Sequence, residues 1–260
     1  MKKTIPLLLA LLLLLSACSS GKNGQEQIPL SENTSSAQSS QTAGQPTSIS
    51  EREAEQPENA ETDWLALYAP VFDSYKELFA VVKAYQQGIE SPVDLSGSDY
   101  DLANNLSLYL ESMAKPGFCL KDIDGNGVPE LLVGLMTDDY FYSRIIAGLF
   151  TIEGETPETV FTSYTRSRYC LSSEGGFIYE GSGGAAYSDY YYCTLSGSSL
   201  NIDYGAYSDG DRGFFYIENG DRESAAKTVS ISEEQFAGYY NKLDSMIIDP
   251  PEYTMMDIDQ

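Results

Sequence analysis

The segment from Asp122 to Glu130 carries the strongest chemical signal in the sequence. It reads Asp-Ile-Asp-Gly-Asn-Gly-Val-Pro-Glu, so side-chain oxygens stand at its positions 1, 3, 5 and 9, with glycine at position 6. Ca²⁺ takes about six to eight oxygen ligands, and alternate residues of a tight loop can turn inward together. The spacing predicts a structural Ca²⁺ site with five ligands: Asp122, Asp124, Asn126, the main-chain carbonyl of Val128, and Glu130.

Two known types of calcium loop differ from this segment in the residues at their ligand positions. An EF-hand would place glutamate at position 12, where this chain has Val133. The segment instead resembles the nine-residue calcium loops of FG-GAP and VCBS-type repeats, Asp-x-Asp-x-Asp-Gly-x-x-Asp, although Asn126 and Glu130 depart from that pattern. The alternative is a plain hairpin turn, because Asp-Gly and Asn-Gly are strong hairpin signals. Both interpretations place a strand on each side.

The composition excludes several kinds of chemistry. The chain has 260 residues, with 15 Lys and Arg, 39 Asp and Glu and no His, which gives a formal net charge of −24. Without histidine there is no Ser-His-Asp or Cys-His triad and no imidazole metal ligand. The negative charge also argues against nucleic-acid binding, which needs clustered cations. A carboxylate-based hydrolase stays open as an alternative, since glycosidase chemistry needs only two acidic residues.

The first 17 residues predict export. Lys2 and Lys3 precede an apolar run from Ile5 to Leu15, which is too short to span a bilayer and is typical of a signal peptide. The run leads into Leu-Ser-Ala-Cys18, which looks like a bacterial lipobox. That resemblance implies lipidation of Cys18 and anchoring at the extracellular face of the cell membrane. The alternative is an ordinary signal peptide with an incidental cysteine.

Composition divides the rest of the chain into three parts. Residues 18–62 contain no aromatic residue and are rich in Ser, Gln, Thr and Glu, so after the lipidated cysteine we predict a disordered tether. All 20 Tyr, all 10 Phe and the single Trp lie from Trp64 onward. Residues 63–248 are therefore predicted to form one globular domain, and residues 249–260 a loose acidic tail.

Hydrophobic spacing predicts an α+β domain. Apolar stripes from Val71 to Tyr85 and from Leu102 to Met113 indicate two N-terminal helices, and a capping box at Ser232 begins a C-terminal helix. Between them we predict an antiparallel β-meander with helices packed on one face. The expected strands are Phe118–Asp122, Glu130–Met136, Ile145–Ile152, Thr159–Tyr164, Tyr169–Leu171, Phe177–Glu180, Tyr190–Leu195, Asn201–Tyr204, Gly213–Glu218 and Lys227–Ile231.

Three cysteines remain beyond Cys18, an odd number for an exported chain. Cys170 and Cys193 lie in predicted strands that we expect to be neighbours, which makes them a candidate disulfide. Cys119 would then be free.

A glycine-rich run, Glu-Gly-Ser-Gly-Gly-Ala, spans residues 180–185. With the Asp-Gly-Asn-Gly-x-Pro-Glu-Leu segment, it resembles a family of lipobox-containing surface lipoproteins of Gram-positive, clostridia-like bacteria that has no assigned activity. The resemblance implies location and fold only. The run itself predicts a bulge or turn, with an anion-binding nest as the alternative. Ser182 lacks the Gly-x-Ser-x-Gly pattern of a nucleophile elbow.

These observations favour a non-enzymatic binding or accessory module with a glycan or protein ligand. Tyr187, Tyr190, Tyr191 and Tyr192 would suit a sugar platform, but we expect cross-strand packing instead, because alternate strand residues face opposite sides. A solute-binding lipoprotein of an importer is a further alternative. The domain is small for two lobes, and the βαβ alternation that builds such lobes is missing.

Overall fold

Five α-helices and eleven β-strands form the part of the chain that the computed structural model describes, residues 62–89 and 100–258. The helices are α1 (Trp64–Leu67), α2 (Ala69–Gln87), α3 (Tyr100–Ser112), α4 (Tyr140–Ser143) and α5 (Glu233–Ser245). The strands are β1 (Lys115–Lys121), β2 (Glu130–Met136), β3 (Ile145–Glu153), β4 (Thr156–Thr162), β5 (Ser167–Leu171), β6 (Phe177–Gly184), β7 (Tyr187–Ser196), β8 (Ser199–Asp209), β9 (Phe214–Glu218), β10 (Lys227–Ile231) and β11 (Thr254–Met255). The predicted α+β class is confirmed.

All strand pairs are antiparallel, in the order β10-β9-β8-β7-β6-β5-β3-β2-β1-β11. The expected meander holds with one exception. The long strand β3 pairs with β4 from Gly148 to Glu153 but with β5 at Ile145 and Ile146. β4 therefore leaves the main path, and the meander resumes at β5.

The helices begin and end as their sequences dictate. Pro70 occupies the first turn of α2, where its missing N–H costs nothing, and Gly88 ends that helix in the left-handed conformation. α1 is a separate short turn capped by Asp63. The capping box of α5 is present: Ser232 accepts from the Gln235 amide, while the Gln235 side chain accepts from Ser232.

The sheet carries an apolar core on each face. On one face α1–α3 cover residues such as Leu131, Val133 and Ile145, and α5 covers Ile178 further along. On the other face the curled sheet encloses a second core of its own side chains, including Leu132. β2 is buried on both faces, which explains its nearly continuous apolar sequence.

The glycine-rich run forms the end of β6, up to Gly184, and contains a bulge, as predicted. The register with β7 shifts between Ser182 and Gly184. Gly184 has a φ of 138°, which a side chain would strain. In β7, Tyr191 enters the second core, while Tyr190 and Tyr192 pack towards α5. These tyrosines therefore form cross-strand contacts and not a single exposed platform.

The candidate disulfide is not formed. Cys119, Cys170 and Cys193 are free thiols. Cys170 pairs with Ile178 of β6 and Cys193 with Phe177 of the same strand, so β6 separates the two cysteines. They also belong to cores on opposite faces of the sheet. Two strand spacings amount to roughly 10 Å, too far for a bridge.

The C-terminal segment also differs from the loose tail that was predicted. Thr254 and Met255 pair with Phe118 and Gly117 of β1, and Met256 is buried in the helix-covered core. The apolar residues between the acidic ones supply this packing, so composition alone was misleading.

The predictions for residues 1–17, Cys18 and nearly all of the tether lie outside the described residues. None of the described helices is both long and apolar enough to cross a membrane.

Candidate metal centre

The acidic loop, residues 122–130, connects β1 to β2 at one end of the sheet. β1 ends at Lys121 and β2 begins at Glu130, with Lys121 paired to Glu130 at the mouth of the hairpin. Gly125 and Gly127 have φ values of 75° and 86°. These left-handed conformations let the chain reverse within a short span.

Three carboxylates converge at this loop. Asp122, Asp124 and Glu130 each offer an oxygen, and these oxygens lie within 4.8 Å of one another. Asp122 is exposed, Asp124 half-buried and Glu130 fully buried. Oxygen atoms at this spacing can hold a metal ion between them, and their ligand chemistry suits a hard cation.

The loop backbone organises the two aspartates. Asp122 accepts from the amides of Gly125 and Gly127, at 2.8 and 3.0 Å. Asp124 accepts from the Asn126 amide at 3.1 Å. These bonds fix the turn and orient the side chains. A carboxylate has about four lone-pair sites, so each aspartate keeps acceptor capacity for a cation.

Asn126 takes part in the loop through local hydrogen bonds. Its side-chain nitrogen donates to Asp124 Oδ2 at 3.1 Å, and its side-chain oxygen accepts from the Val128 amide at 2.7 Å. The structure thus brings together the three predicted carboxylate ligands. Asn126 and Val128 lie in the same turn, where the Val128 N–H donates to the Asn126 side-chain oxygen.

Glu130 is the least ordinary member of the triad. Its side chain has no solvent exposure. It accepts from the Ile123 amide at 2.8 Å and from the Thr151 hydroxyl at 3.4 Å. Burial raises the pKa of Glu130, and the carboxylates of Asp124 and Asp122 raise it further, while the Ile123 hydrogen bond opposes the rise. A cation in the triad would remove this electrostatic cost.

Distant parts of the chain hold the loop in place. The Tyr68 hydroxyl, between α1 and α2, lies 2.9 Å from the Pro129 carbonyl oxygen and 3.1 Å from that of Phe150. The Gly197 amide, in the β7–β8 turn, donates to Asp124 Oδ2 at 2.9 Å. The triad is therefore anchored to the helical layer and to a second hairpin.

Sequence reasoning missed these supporting residues. Tyr68 is 61 positions from Pro129, and Gly197 is 73 positions from Asp124. The local sequence around each is unremarkable for metal binding, so no signal short of the tertiary fold would have found them.

Comparisons of the chain with protein-family models, curated proteins and solved structures returned no match. The fold and the acidic triad are therefore the observations on which a function must be argued.

Proposed function

We propose that this chain is an extracellular lipoprotein, held at the membrane through Cys18, whose domain is a non-enzymatic binding or accessory module stabilised by one structural Ca²⁺. The ligands of the ion would be Asp122, Asp124, Asn126, the Val128 carbonyl and Glu130.

The observation that carries the proposal is the buried position of Glu130 within the carboxylate triad. A carboxylate with no solvent exposure, facing two further carboxylates, is costly as an anion unless something compensates it. Among the described residues no lysine or arginine forms an ion pair with the triad. A divalent cation would supply the missing positive charge.

The choice of Ca²⁺ follows from the donor set and the loop shape. Mg²⁺ demands near-ideal octahedral geometry and usually keeps several waters, whereas Ca²⁺ accepts irregular cages of carboxylate, amide and carbonyl oxygens. A nine-residue loop that mixes three carboxylates with an amide and a main-chain carbonyl matches the Ca²⁺ preference. An extracellular location would also expose the site to abundant Ca²⁺.

The same geometry gives little support to the hydrolase alternative. Such chemistry uses a carboxylic acid with a raised pKa in contact with substrate. Glu130 has a raised pKa, but its side chain is inaccessible to a substrate. A solute-binding protein would need two lobes, and the described residues form one continuous sheet.

The metal is tested by thermal unfolding of the full-length chain in detergent, in excess EGTA and then in millimolar Ca²⁺ or Mg²⁺. Ca²⁺ at about 100 times its Kd stabilises the folded state by about 2.7 kcal/mol, which raises Tm by several degrees in a domain of this size. We expect this rise with Ca²⁺, a smaller one with Mg²⁺, and none in Asp124→Ala.

Asp211→Ala is the matched control, because it removes an exposed aspartate in the 3-10 turn Gly210–Arg212, away from the loop. It should keep the full Ca²⁺ response. Equal Tm values in EGTA and Ca²⁺ for the unmodified chain would reject the metal site and leave residues 122–130 as a hairpin turn.

The anchor is tested separately by labelling bacteria that express the chain with a palmitate analogue. We expect incorporation into the unmodified chain, and none into Cys18→Ser. Label that persists in Cys18→Ser, or is absent from both, would reject lipidation at this residue without bearing on the metal.

A further inference from the structure

A cavity with a largely apolar lining lies between α2, the junction of α3 with β1, and the segment that begins at Met255. Its volume is about 410 Å³, within the range of about 300–1,000 Å³ that is usual for small-molecule sites. Its lining includes Phe79, Val82, Met113, Lys115, Met255 and Met256. We call it the methionine cavity, because three of the chain's six methionines line it.

The cavity has an apolar floor and a polar mouth. Phe79 and Val82 of α2 are buried, as is Met256, and all three belong to the helix-covered core. Lys115 and Gln86, which also line the cavity, are exposed. This polarity suits an amphiphile, whose apolar chain would lie on the floor and whose polar head would stay among the exposed side chains.

Two of the methionines expose their side chains at the cavity. Met113 is 67 % exposed and Met255 54 %. Methionine is unbranched and polarisable, so it adapts to apolar ligands of irregular shape. Exposed apolar side chains beside a cavity with a buried apolar floor are typical of a ligand-binding surface.

The backbone of Met113 supports a role for its side chain. The residue follows α3 with a φ of 54°, and its N–H donates to the Tyr109 carbonyl at 3.1 Å. Glycine is the usual residue in this left-handed position after a helix, because a side chain is strained there. Since Met113 is exposed, core packing does not compensate the strain. Its sulfur accepts from the side-chain nitrogen of Gln86 at 3.7 Å, which holds the side chain at the cavity.

The charge at the cavity is opposite in sign to that of the chain. The chain has 39 acidic and 15 basic residues, whereas Lys83 and Lys115 line the cavity with a single carboxylate, Asp257. Among the described residues no carboxylate forms an ion pair with Lys115. A monoanionic head group would find complementary charge here. α3 ends at Ser112, and the negative end of a helix disfavours a phosphate dianion more than a carboxylate.

We propose that the methionine cavity binds a free single-chain aliphatic carboxylate, with the chain on the apolar floor and the carboxylate near Lys115. The volume of 410 Å³ equals about fourteen water molecules of about 30 Å³ each, and a methylene group is of similar size, so chains of about ten to twelve carbons should fit. This inference rests on the binding role proposed above and names the ligand class. The cavity shares no lining residue with the acidic loop.

Other occupants match the cavity less well. A cationic amphiphile would bring its charge beside two lysines. A sugar or a nucleotide would bury hydroxyl groups against Phe79, Val82 and Met256, whose side chains offer them no hydrogen bond. A phospholipid with two chains of about sixteen carbons needs roughly 1,000 Å³ on the same scale, more than the cavity holds.

The test uses the full-length chain in nanodiscs of a zwitterionic lipid, because a detergent would itself compete for an apolar cavity. The methionine methyl groups are labelled with ¹³C and followed by NMR while decanoate is added. Butyrate, decanol and decyltrimethylammonium are the comparison ligands, and empty nanodiscs correct for uptake by the lipid. Met246, which packs with Leu243 of α5, gives the internal control signal.

We expect decanoate to shift the signals of Met113, Met255 and Met256 and to leave that of Met246 unchanged. Butyrate should bind at least about a hundredfold more weakly, since each buried methylene contributes about fourfold. Decanol should bind about threefold more weakly than decanoate because it lacks the charge, and the ammonium compound more weakly still.

Two variants test separate parts of the site. Lys115→Gln should weaken decanoate binding about threefold, while Lys121→Gln, the matched control at the other end of β1, should leave it unchanged. Met113→Gly should weaken binding about fivefold through lost apolar contact. It should nevertheless raise Tm, because glycine relieves the left-handed strain. A purely structural role for Met113 would not produce these opposite effects.

Several results would overturn the proposal: no shift of the three cavity signals at millimolar decanoate, an equal shift at Met246, comparison ligands that bind as tightly as decanoate, or unchanged affinity in folded Lys115→Gln and Met113→Gly. Shifts caused by adding phosphatidylglycerol to the nanodisc, but not by decanoate, would assign the cavity to membrane lipid instead. Far-UV circular dichroism confirms folding of each variant. A Ca²⁺-dependent rise in Tm alongside such a failure would reject the aliphatic ligand and leave the metal-stabilised module intact.

Discussion

The acidic loop and Arg144 at the end of α4 leave opposite charges without an ion-pair partner among the described residues. In the loop, three carboxylate oxygens lie within 4.8 Å of one another without an ion-pair partner among the described residues. At the end of α4, Arg144 forms no ion pair among the described residues, and its enclosed Nε has no acceptor. Elsewhere the domain pairs such charges internally, as at Arg222 and Asp189.

The difference between the two regions lies in how they are assembled. The loop is one contiguous turn whose own amides orient Asp122 and Asp124, so its geometry is set locally. At α4, by contrast, Arg144 and Arg168 stack on the consecutive residues Tyr140 and Phe141, and Arg168 reaches from β5 to bind Glu180 of β6. A site whose ligands are set locally suits a resident ion that stabilises the fold.

The largest expected effect is that of Glu130→Ala. Under the proposed Ca²⁺ site, the variant loses the stabilisation by the bound ion, about 2.7 kcal/mol at Ca²⁺ concentrations near 100 times Kd. It also leaves the Ile123 amide and the Thr151 hydroxyl without their acceptor, at a cost of about 1–3 kcal/mol. Urea unfolding in Ca²⁺ should show a total loss of about 4–6 kcal/mol, and in EGTA only the about 1–3 kcal/mol of the lost hydrogen bonds.

Glu158→Ala, which removes an exposed glutamate of β4, is the control and should change either value by less than about 0.5 kcal/mol. If Glu130→Ala prevents folding, the isosteric Glu130→Gln serves instead. Identical losses with and without Ca²⁺ would mean that Glu130 is a structural acceptor and not a metal ligand.

The next effect separates paired from unpaired arginines. Arg222 donates to Asp189 at 2.6 Å and to the Ser208 carbonyl at 3.1 Å, so Arg222→Gln should cost about 2 kcal/mol. Arg144 forms no ion pair among the described residues and its Nε has no partner, so Arg144→Gln should lose only the stacking on Tyr140, about 0.5–1 kcal/mol. The measurement is urea unfolding at one pH. A cost for Arg144→Gln equal to that of Arg222→Gln would assign Arg144 to the fold.

A smaller effect tests how locally the acidic loop is determined. Gly127 has a φ of 86° and nothing within 4 Å of an added Cβ, so Gly127→Ala should cost about 1–2 kcal/mol through backbone strain alone. Gly238→Ala, in α5 with equally open space, should instead stabilise by about 0.5–1 kcal/mol. If the two substitutions changed the free energy of unfolding in the same direction, this account would be contradicted.

The smallest expected effect is a pH dependence of the metal-free protein. Because the pKa of Glu130 is raised on folding, the folded state binds its proton more tightly than the unfolded chain does. The associated stability is present at low pH and is lost as pH rises from the ordinary carboxyl range through the raised value. In EGTA, Glu130→Gln should remove this part of the pH dependence. In Ca²⁺, acid should weaken the metal affinity, since protons and the ion compete.

Much of the fold was predictable because its signals are local. β2 and β10 have the predicted bounds, each of the other predicted strands overlaps an observed one, and the capping box of α5 is present. Alternation of apolar residues and turn-forming glycines depends on a few consecutive positions. α4 and β11 were missed because a four-residue helix and a two-residue strand carry almost no periodicity.

The sequence by itself determined the acidic loop, because its carboxylates and glycines fall within nine consecutive residues and a turn of that length brings them together. Only the tertiary structure decided that Gly197 and Tyr68 support the loop, that β6 separates Cys170 from Cys193, and that Arg168 stacks on Phe141. Those relations depend on strand order and register, and a shift of one residue would turn every side chain to the other face. Strand order and register are determined by packing of the whole sheet, which involves residues far apart in the sequence.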